Sequence, residues 1–427
     1  MNSQSQAMTG IHRLQRVACM IGLLLSAISA RADDWPQWRG PNRDGVWHET
    51  GILETFPAGG LKVRWRAPVG PGYSSPVVAE GRVFVTDCEL GPKEKRQAKE
   101  RVHCFDEASG QLLWAYSYEV KYPDYAWPPD ADPGQGPAPT PIVKDGKVYT
   151  VGGMGHLFCF DTLEGKVLWT KDRLNGDFCI RGSPLIEGDL LIVPKGYGVS
   201  KGTGIVAFNK DSGKEIWTAL EDGGYNSSPL VIAAGGKRQL IVPSMRWVTS
   251  VDPATGKIYW QEKFACGIPT PIVSQDRLLV NGLMLKLDPD KPAVSVLWPA
   301  RKPDAQLSDT TTAIFRGDLI LSHKQTNLLV CLEANTGKEL WETDKVPSSM
   351  HALTLCGDGV FVFTDTGELI RADLTAQGYK EVSRTALIKP TTKDGTLVTY
   401  AAPAYANRQV FARNDEELIC ASLAAEP

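Results

Sequence analysis

The chain has 427 residues, with 46 Lys and Arg set against 49 Asp and Glu, for a formal charge of −3. A balance that even gives no electrostatic hold on nucleic acid or on an anionic membrane surface. The length admits several ordinary domains, but an internal repeat argues for one large closed unit.

In chain order, residues 1–32 read as an export signal. Arg13 and Arg16 precede an apolar run from Val17 to Ile28, and Ala30-Arg31-Ala32 offers small residues at a cleavage site. The run is 12 residues long, short of the roughly 20 that a spanning helix needs. Cys19 stands at its start rather than after it, which argues against a lipoprotein. Residues 1–32 hold three Arg and no Lys or acid, so the remainder keeps 43 basic against 49 acidic residues, a charge of −6. The expected location is periplasmic or extracellular. Residues 33–60, rich in Trp, Pro and Gly, read as an ordered arm clamped on the surface of the main unit by Trp35 and Trp38. Within it, Asn42-Arg43-Asp44-Gly45 has too few carboxylates for a calcium loop and reads as a solvated turn.

From residue 61 a repeat takes over. Five segments place an acidic or Asn residue, three spacers, a Gly, and a Trp four residues later: 106–114, 161–169, 209–217, 252–260 and 333–341. An Asp or Asn side chain can bond the backbone two residues on, and Gly supplies the positive φ of a bulged hairpin turn. The Trp residues at 65, 114, 169, 217, 260, 298 and 341 are spaced by 46 on average; each projects a large flat ring suited to docking on the next unit. Trp298 follows a looser hairpin without the Gly, and in the next unit Gly378 is followed by Val382 in place of the Trp. The strand starts YSSP, APTP, RGSP, NSSP, IPTP, TTTA, MHAL and YAAP number eight. The last unit holds only three strands, while Leu61, Val63, Trp65, Ala67 and Val69 alternate like a missing fourth. The expected fold is all-β: a monomeric eight-bladed β-propeller of four-stranded antiparallel blades over residues 61–427, closed by its termini sharing one blade.

Two insertions break the period. Residues 91–101 read as a charged surface excursion, and residues 118–136, aromatic and Pro-rich, as a cover over one channel mouth. Cys104, Cys159, Cys331 and Cys420 share a slot that elsewhere holds Ala207 or Ser250, which makes them small buried packing thiols. Cys88 and Cys104 flank an insertion and form the pair to test for a disulfide. No Cys-x-x-Cys-His occurs, so no c-type haem is attached.

Side chains just before each innermost strand converge on one end of a propeller channel. Tyr73, Arg181, Tyr225, Asn226, Asp309, Thr310, His351 and Tyr400 are the candidate ligand site. Arg181 would clamp a carboxylate, and His351 or Asp309 would serve as a base. The competing reading is a hydrated channel lined by ordinary turn residues. No metal-ligand spacing stands out among the six His.

The hairpins AFNKDSGKEIW and SVDPATGKIYW resemble the Trp-docking repeat of the pyrroloquinoline quinone (PQQ) propeller superfamily, over about residues 61–427. WPQWRGPNRDG is similar to the opening of exported PQQ-like propellers of planctomycete-type bacteria. The resemblance implies either a quinoprotein dehydrogenase using PQQ and calcium, or a propeller like the one in the outer-membrane barrel assembly machinery. The dehydrogenases place adjacent cysteines under the cofactor, and this chain has no Cys-Cys pair. The expectation is an exported, non-catalytic scaffold or ligand-binding propeller. Its partner is another protein or a small polar or anionic ligand. The alternative is a PQQ-dependent oxidoreductase acting on alcohols or sugars with an external electron acceptor.

Overall fold

The computed structural model describes residues 33–91, 95–123, 136–174, 179–195, 204–223, 226–299, 307–394 and 396–425. The chain divides into Met1–Asp33 and Asp34–Pro427; the expected export signal lies outside the described residues, and every strand belongs to the second unit. Among the described residues no helix is long and apolar enough to cross a membrane.

Eight sheets follow one another around a ring, an eight-bladed β-propeller. Blades 1 to 7 occupy residues 77–121, 142–171, 185–219, 230–263, 272–298, 314–343 and 351–386. Blade 8 takes three strands from 404–422 and its outermost strand, Val63–Pro68, from the start of the ring. That strand pairs antiparallel with Glu417–Ser422, with Trp65 opposite Cys420.

Every blade carries a register shift between its third and fourth strands. Such a bulge sharpens the twist and swings the Trp off the outer strand. The Asx chemistry expected of the turns is present: Asp161 Oδ1 accepts from Leu163 and Glu164 N, and Asn209 Oδ1 from Asp211 and Ser212 N. Each Trp then reaches the following blade. Trp65, Trp114, Trp169 and Trp217 donate Nε1–H to the Glu107, Thr162, Lys210 and Pro253 carbonyls, while their rings cover Gly110, Gly165, Gly213 and Gly256. Trp298 and Trp341 likewise donate to Ala334 and Thr375 O.

The exceptions follow from what each Trp has to dock on. Blade 5 lacks the hairpin Gly, so Trp260 of blade 4 turns instead to Gln239 of its own blade, Nε1 to Oε1 2.8 Å. Blade 8 has no covalent hairpin at its outer edge, and blade 7 has no Trp. By register the Trp position there is Ser383, opposite Arg371, not Val382, which is the extra residue of the bulge. Nor are the rings uniformly buried: Trp65, Trp217 and Trp298 are, whereas Trp114, Trp169, Trp260 and Trp341 keep part of an edge in solvent.

The N-terminal arm fills that gap and more. Trp47 packs on Phe361 and Tyr405, and Phe56 stacks on Phe361 while its N–H donates to Ser383 Oγ, so the seam between blades 7 and 8 is closed by arm aromatics. Val46–Trp47 add a parallel strand to blade 7. Trp35 bridges Val78 of blade 1, and three residues later Trp38 Nε1 donates to Thr270 Oγ1 of blade 5. Blades 1 and 5 face each other across an eight-membered ring, so this segment crosses the axis rather than lying on the outer surface. Asn42 to Gly45 is not a solvated turn: Arg43 is 5% exposed and donates to Pro184 O.

Of the first insertion, residues 92–94 lie outside the described residues, and 97–101 are not a surface excursion. Gln97–Asp106 is one continuous strand, and Ala98 pairs with Leu90 and Val120. Of the second insertion, 118–121 extends the outer strand, while 124–135 lies outside the described residues. The extension buries charge. Asp87 accepts from Gly70 N, Arg101 and His103; burial alone would raise its pKa, but these bonds hold it well below the usual carboxylate range. Glu100 accepts from Tyr118, Tyr122 and Gly153 N, and burial keeps its carboxyl raised. The eight cysteines of the described residues are free and buried. Cys88 faces Glu100 and Cys104 faces Phe84, four register steps apart on neighbouring strands, so they do not form the disulfide tested for.

Candidate functional site

Successive side chains of an extended segment point to opposite sides, so a fixed offset from each inner strand selects one face. The inner strands of seven blades begin at Val77, Ile142, Leu185, Leu230, Ile272, Ile314 and Ala404. The residues four positions earlier are Tyr73, Ala138, Arg181, Asn226, Ile268, Thr310 and Tyr400, and all line one central cavity of about 460 Å³. So do the residues two positions earlier: Ser75, Thr140, Ser183, Ser228, Thr270, Thr312 and Ala402. In blade 7, whose inner strand starts earlier, Thr354 faces Phe361 as Val77 faces Phe84, and Met350 and Ala352 take the two places.

The inner layer is occupied with closing the ring. Ser75 N donates to Thr140 Oγ1, Thr140 N to Ser183 Oγ, Ser183 N to Ser228 Oγ, and Thr270 N to Thr312 Oγ1. These hydroxyls satisfy backbone N–H groups that would otherwise be orphaned at the strand starts. The outer layer faces the mouth, where Tyr73 and Tyr400 of neighbouring blades meet edge to face at 5.7 Å. Trp35, Trp38, Arg39 and Gly45 of the arm complete the lining.

The alternation sorts the sequence candidates. Tyr73, Arg181, Asn226, Thr310 and Tyr400 lie in phase and line the cavity together. Asp309 is one residue out of phase and does not line it; its carboxylate accepts from Asn281 Nδ2 at 2.7 Å. His351 is also out of phase. Its ring touches the cavity wall but is 2% exposed, turned into the seam between blades 6 and 7 with Nε2 on Val346 O at 3.0 Å. It meets His323 edge to face at 4.6 Å. Burial, then the neighbouring imidazole, push its pKa down to about 3, so it is neutral at ordinary pH and a poor proton acceptor. Tyr225 lies outside the described residues. Sequence reasoning missed Trp38, Arg39 and Gly45, because a non-repeating arm has no period to place it.

The resemblance raised PQQ with calcium. Calcium takes six to eight oxygen ligands, carboxylates prominent among them. The described cavity lining contains no Asp or Glu, and among the described residues no group of three His, Cys, Asp or Glu is placed to hold a metal ion. The described lining offers hydroxyl, amide and carbonyl oxygens but no carboxylate for a calcium ion.

A family model described as outer membrane protein assembly factor BamB matches residues 98–266 and 244–422. BamB of Shewanella oneidensis is 22% identical over 313 residues, covering 67% of this chain and 71% of that protein. The quinoprotein alcohol dehydrogenase PedH of Pseudomonas putida is 25% identical over 185 residues, 40% of this chain and only 28% of that enzyme's length. In structure, the quinohemoprotein alcohol dehydrogenase of Comamonas testosteroni superposes with a TM-score of 0.67 at 14% identity, covering 95% of this chain and 83% of that one. BamB of Moraxella catarrhalis superposes with a TM-score of 0.57 at 15% identity, covering 86% and 99%. At these identities the structural likeness speaks for the fold.

Proposed function

The chain belongs to the PQQ-like repeat family whose model is described as outer membrane protein assembly factor BamB, and from that premise we propose that it is an exported, non-catalytic propeller that binds a small polar ligand in its central channel. The observation that carries this reading is the cavity itself. Its volume of about 460 Å³ falls within the range of small-molecule sites, and side chains from all eight blades line it. The non-catalytic part is supported by the fate of the two candidate bases: Asp309 is bound to Asn281 outside the lining, and His351 is sealed and neutral. Export is supported by the basic, apolar and small-residue order of residues 1–32.

The dehydrogenase reading draws on the sequence match to the quinoprotein alcohol dehydrogenase PedH and on the superposition of 95% of this chain on a quinohemoprotein alcohol dehydrogenase. One experiment separates the two. The purified protein is mixed with PQQ and calcium, followed by absorbance, and assayed for alcohol-dependent reduction of an external dye. The scaffold reading expects no calcium-dependent quinone spectrum and no turnover. A saturable spectrum with turnover replaces it by the enzyme. Sequencing the mature N-terminus from a secreted or periplasmic fraction checks export, with a start at Asp33 expected.

A further inference from the structure

We propose that the ligand of the central cavity is a small organic carboxylate, held at the floor by Arg39 of the N-terminal arm. The inference rests on the reading of the cavity as a ligand site and narrows the class of ligand.

The arm carries two arginines into the ring axis, 8% and 5% exposed at Arg39 and Arg43. Both hold φ in the left-handed region, 63° and 59°, a conformation that side-chain-bearing residues adopt at a cost and that tertiary contacts must impose. Their donors go to carbonyl and amide oxygens. Arg39 Nε donates to Arg43 O, and Nη2 to Asp44 and Ala313 O. Arg43 donates to Gln37 Oε1, Pro184 O and Ser183 O. Neither makes an ion pair within the described residues. Asp44 is turned to the Val46 N–H at 3.0 Å. Arg43 Nε is buried without a hydrogen-bond partner.

Elsewhere buried charges meet an opposite or neutralising group: Arg277 pairs with Asp318, and Arg413, which donates only to carbonyls, lies in the field of Asp87 and Asp415. Arg101 is chelated by Asp87, and Glu100 has two tyrosines and a backbone N–H. A buried cation without a counter-charge is expensive, and two side by side are more so. Burial, with Asp44 opposing it, draws Arg39 down to about 10; burial and then the Arg39 charge draw Arg43 down to about 9. Both therefore stay protonated at neutral pH. Asp44 offsets part of the Arg39 charge without pairing with it; an anion in the cavity would supply the rest, and Arg39 is the member of the pair that lines it. Asn226 adds an amide to a lining that has no described carboxylate. The organic part follows from the walls: Trp38, Tyr73, Tyr400 and Ile268 contribute aromatic and aliphatic surface, which suits an apolar body better than a hydrated inorganic ion.

The test is calorimetric titration of the full-length protein with benzoate, with benzamide as its neutral counterpart, and with inorganic phosphate. Benzoate is expected to bind saturably, benzamide at least tenfold more weakly, and Arg39→Met to weaken benzoate at least tenfold. Where that variant does not fold, a crystal of the unaltered protein soaked in 4-bromobenzoate decides, with the bromine signal expected in the cavity and the carboxylate on Arg39. Benzamide binding as tightly as benzoate would keep the ligand site and overturn the anionic assignment. Phosphate binding as tightly as benzoate would overturn the organic assignment. If neither aromatic probe binds and no bromine appears in the cavity, the carboxylate assignment and the cavity reading fall together.

Discussion

Replacing Gly110 by Ala tests how the blades dock, and Gly146 provides a matched control. Both glycines sit at the tip of a hairpin with φ of 72°, so an Ala at either pays the same left-handed strain, about 1–2 kcal/mol. They differ in what the new methyl meets. At Gly146 nothing lies within 4 Å; at Gly110 the Trp65 ring is 2.5 Å away. A methyl that close displaces the indole, an overpacking cost of about 1–3 kcal/mol. The displacement also breaks the Trp65 Nε1 bond to Glu107 O at 2.8 Å, worth about 0.5–1.5 kcal/mol. Gly110→Ala should therefore be less stable than Gly146→Ala by about 2–4 kcal/mol, read from urea midpoints at unchanged slope. Trp65 lies on the strand that closes the ring, so the loss should appear in the main transition. Equal destabilisation by the two variants would refute the docking argument, because their only designed difference is the indole.

Gln239→Leu should cost about 2–4 kcal/mol in urea unfolding. It leaves the buried Ser250 Oγ and the part-buried Trp260 Nε1, each now 2.8 Å from Gln239 Oε1, without that acceptor; an unchanged midpoint would show that Trp260 is not held by its own blade. Stability should fall on acidification from pH 7 to 5. His351, depressed to about 3 in the folded state against roughly 6.5 unfolded, contributes stability that is present above pH 6.5 and lost as the pH falls toward 3. By pH 5 the loss is about 2 kcal/mol, with His323 shifted by burial in the same direction and the Asp365 charge opposing. His351→Gln should flatten this limb of the pH profile, and a variant with the wild-type slope would remove the pair as its source. The eight buried thiols, their pKa raised chiefly by burial where resolved, should react with a disulfide reagent only on unfolding; rapid labelling of Cys88 or Cys266 in the native protein would contradict their burial.

Much of the site was legible in the alternation of the strand starts. Tyr73, Arg181, Asn226 and Tyr400 stand at the same even offset and share a wall, and the same count takes Asp309 out of the lining and leaves His351 at its edge, turned into the seam. Proximity to a strand start was the weaker criterion, because one residue of phase reverses a side chain's direction. In blade 7 the phase itself had to come from the hairpin register, since no Trp marks its outer strand.

The sequence by itself determined the number of blades, their order and the way the ring closes. Each blade repeats one apolar alternation and one turn chemistry, and these are local properties that recur with the period. Only the tertiary structure decided the role of residues 34–56. That segment has no copy elsewhere in the chain, so nothing periodic assigns it a partner. Its Trp38 and Arg39 reach the axis, and its Trp47 and Phe56 cover the seam that lacks a docking Trp, because contacts from opposite sides of a closed ring hold it there.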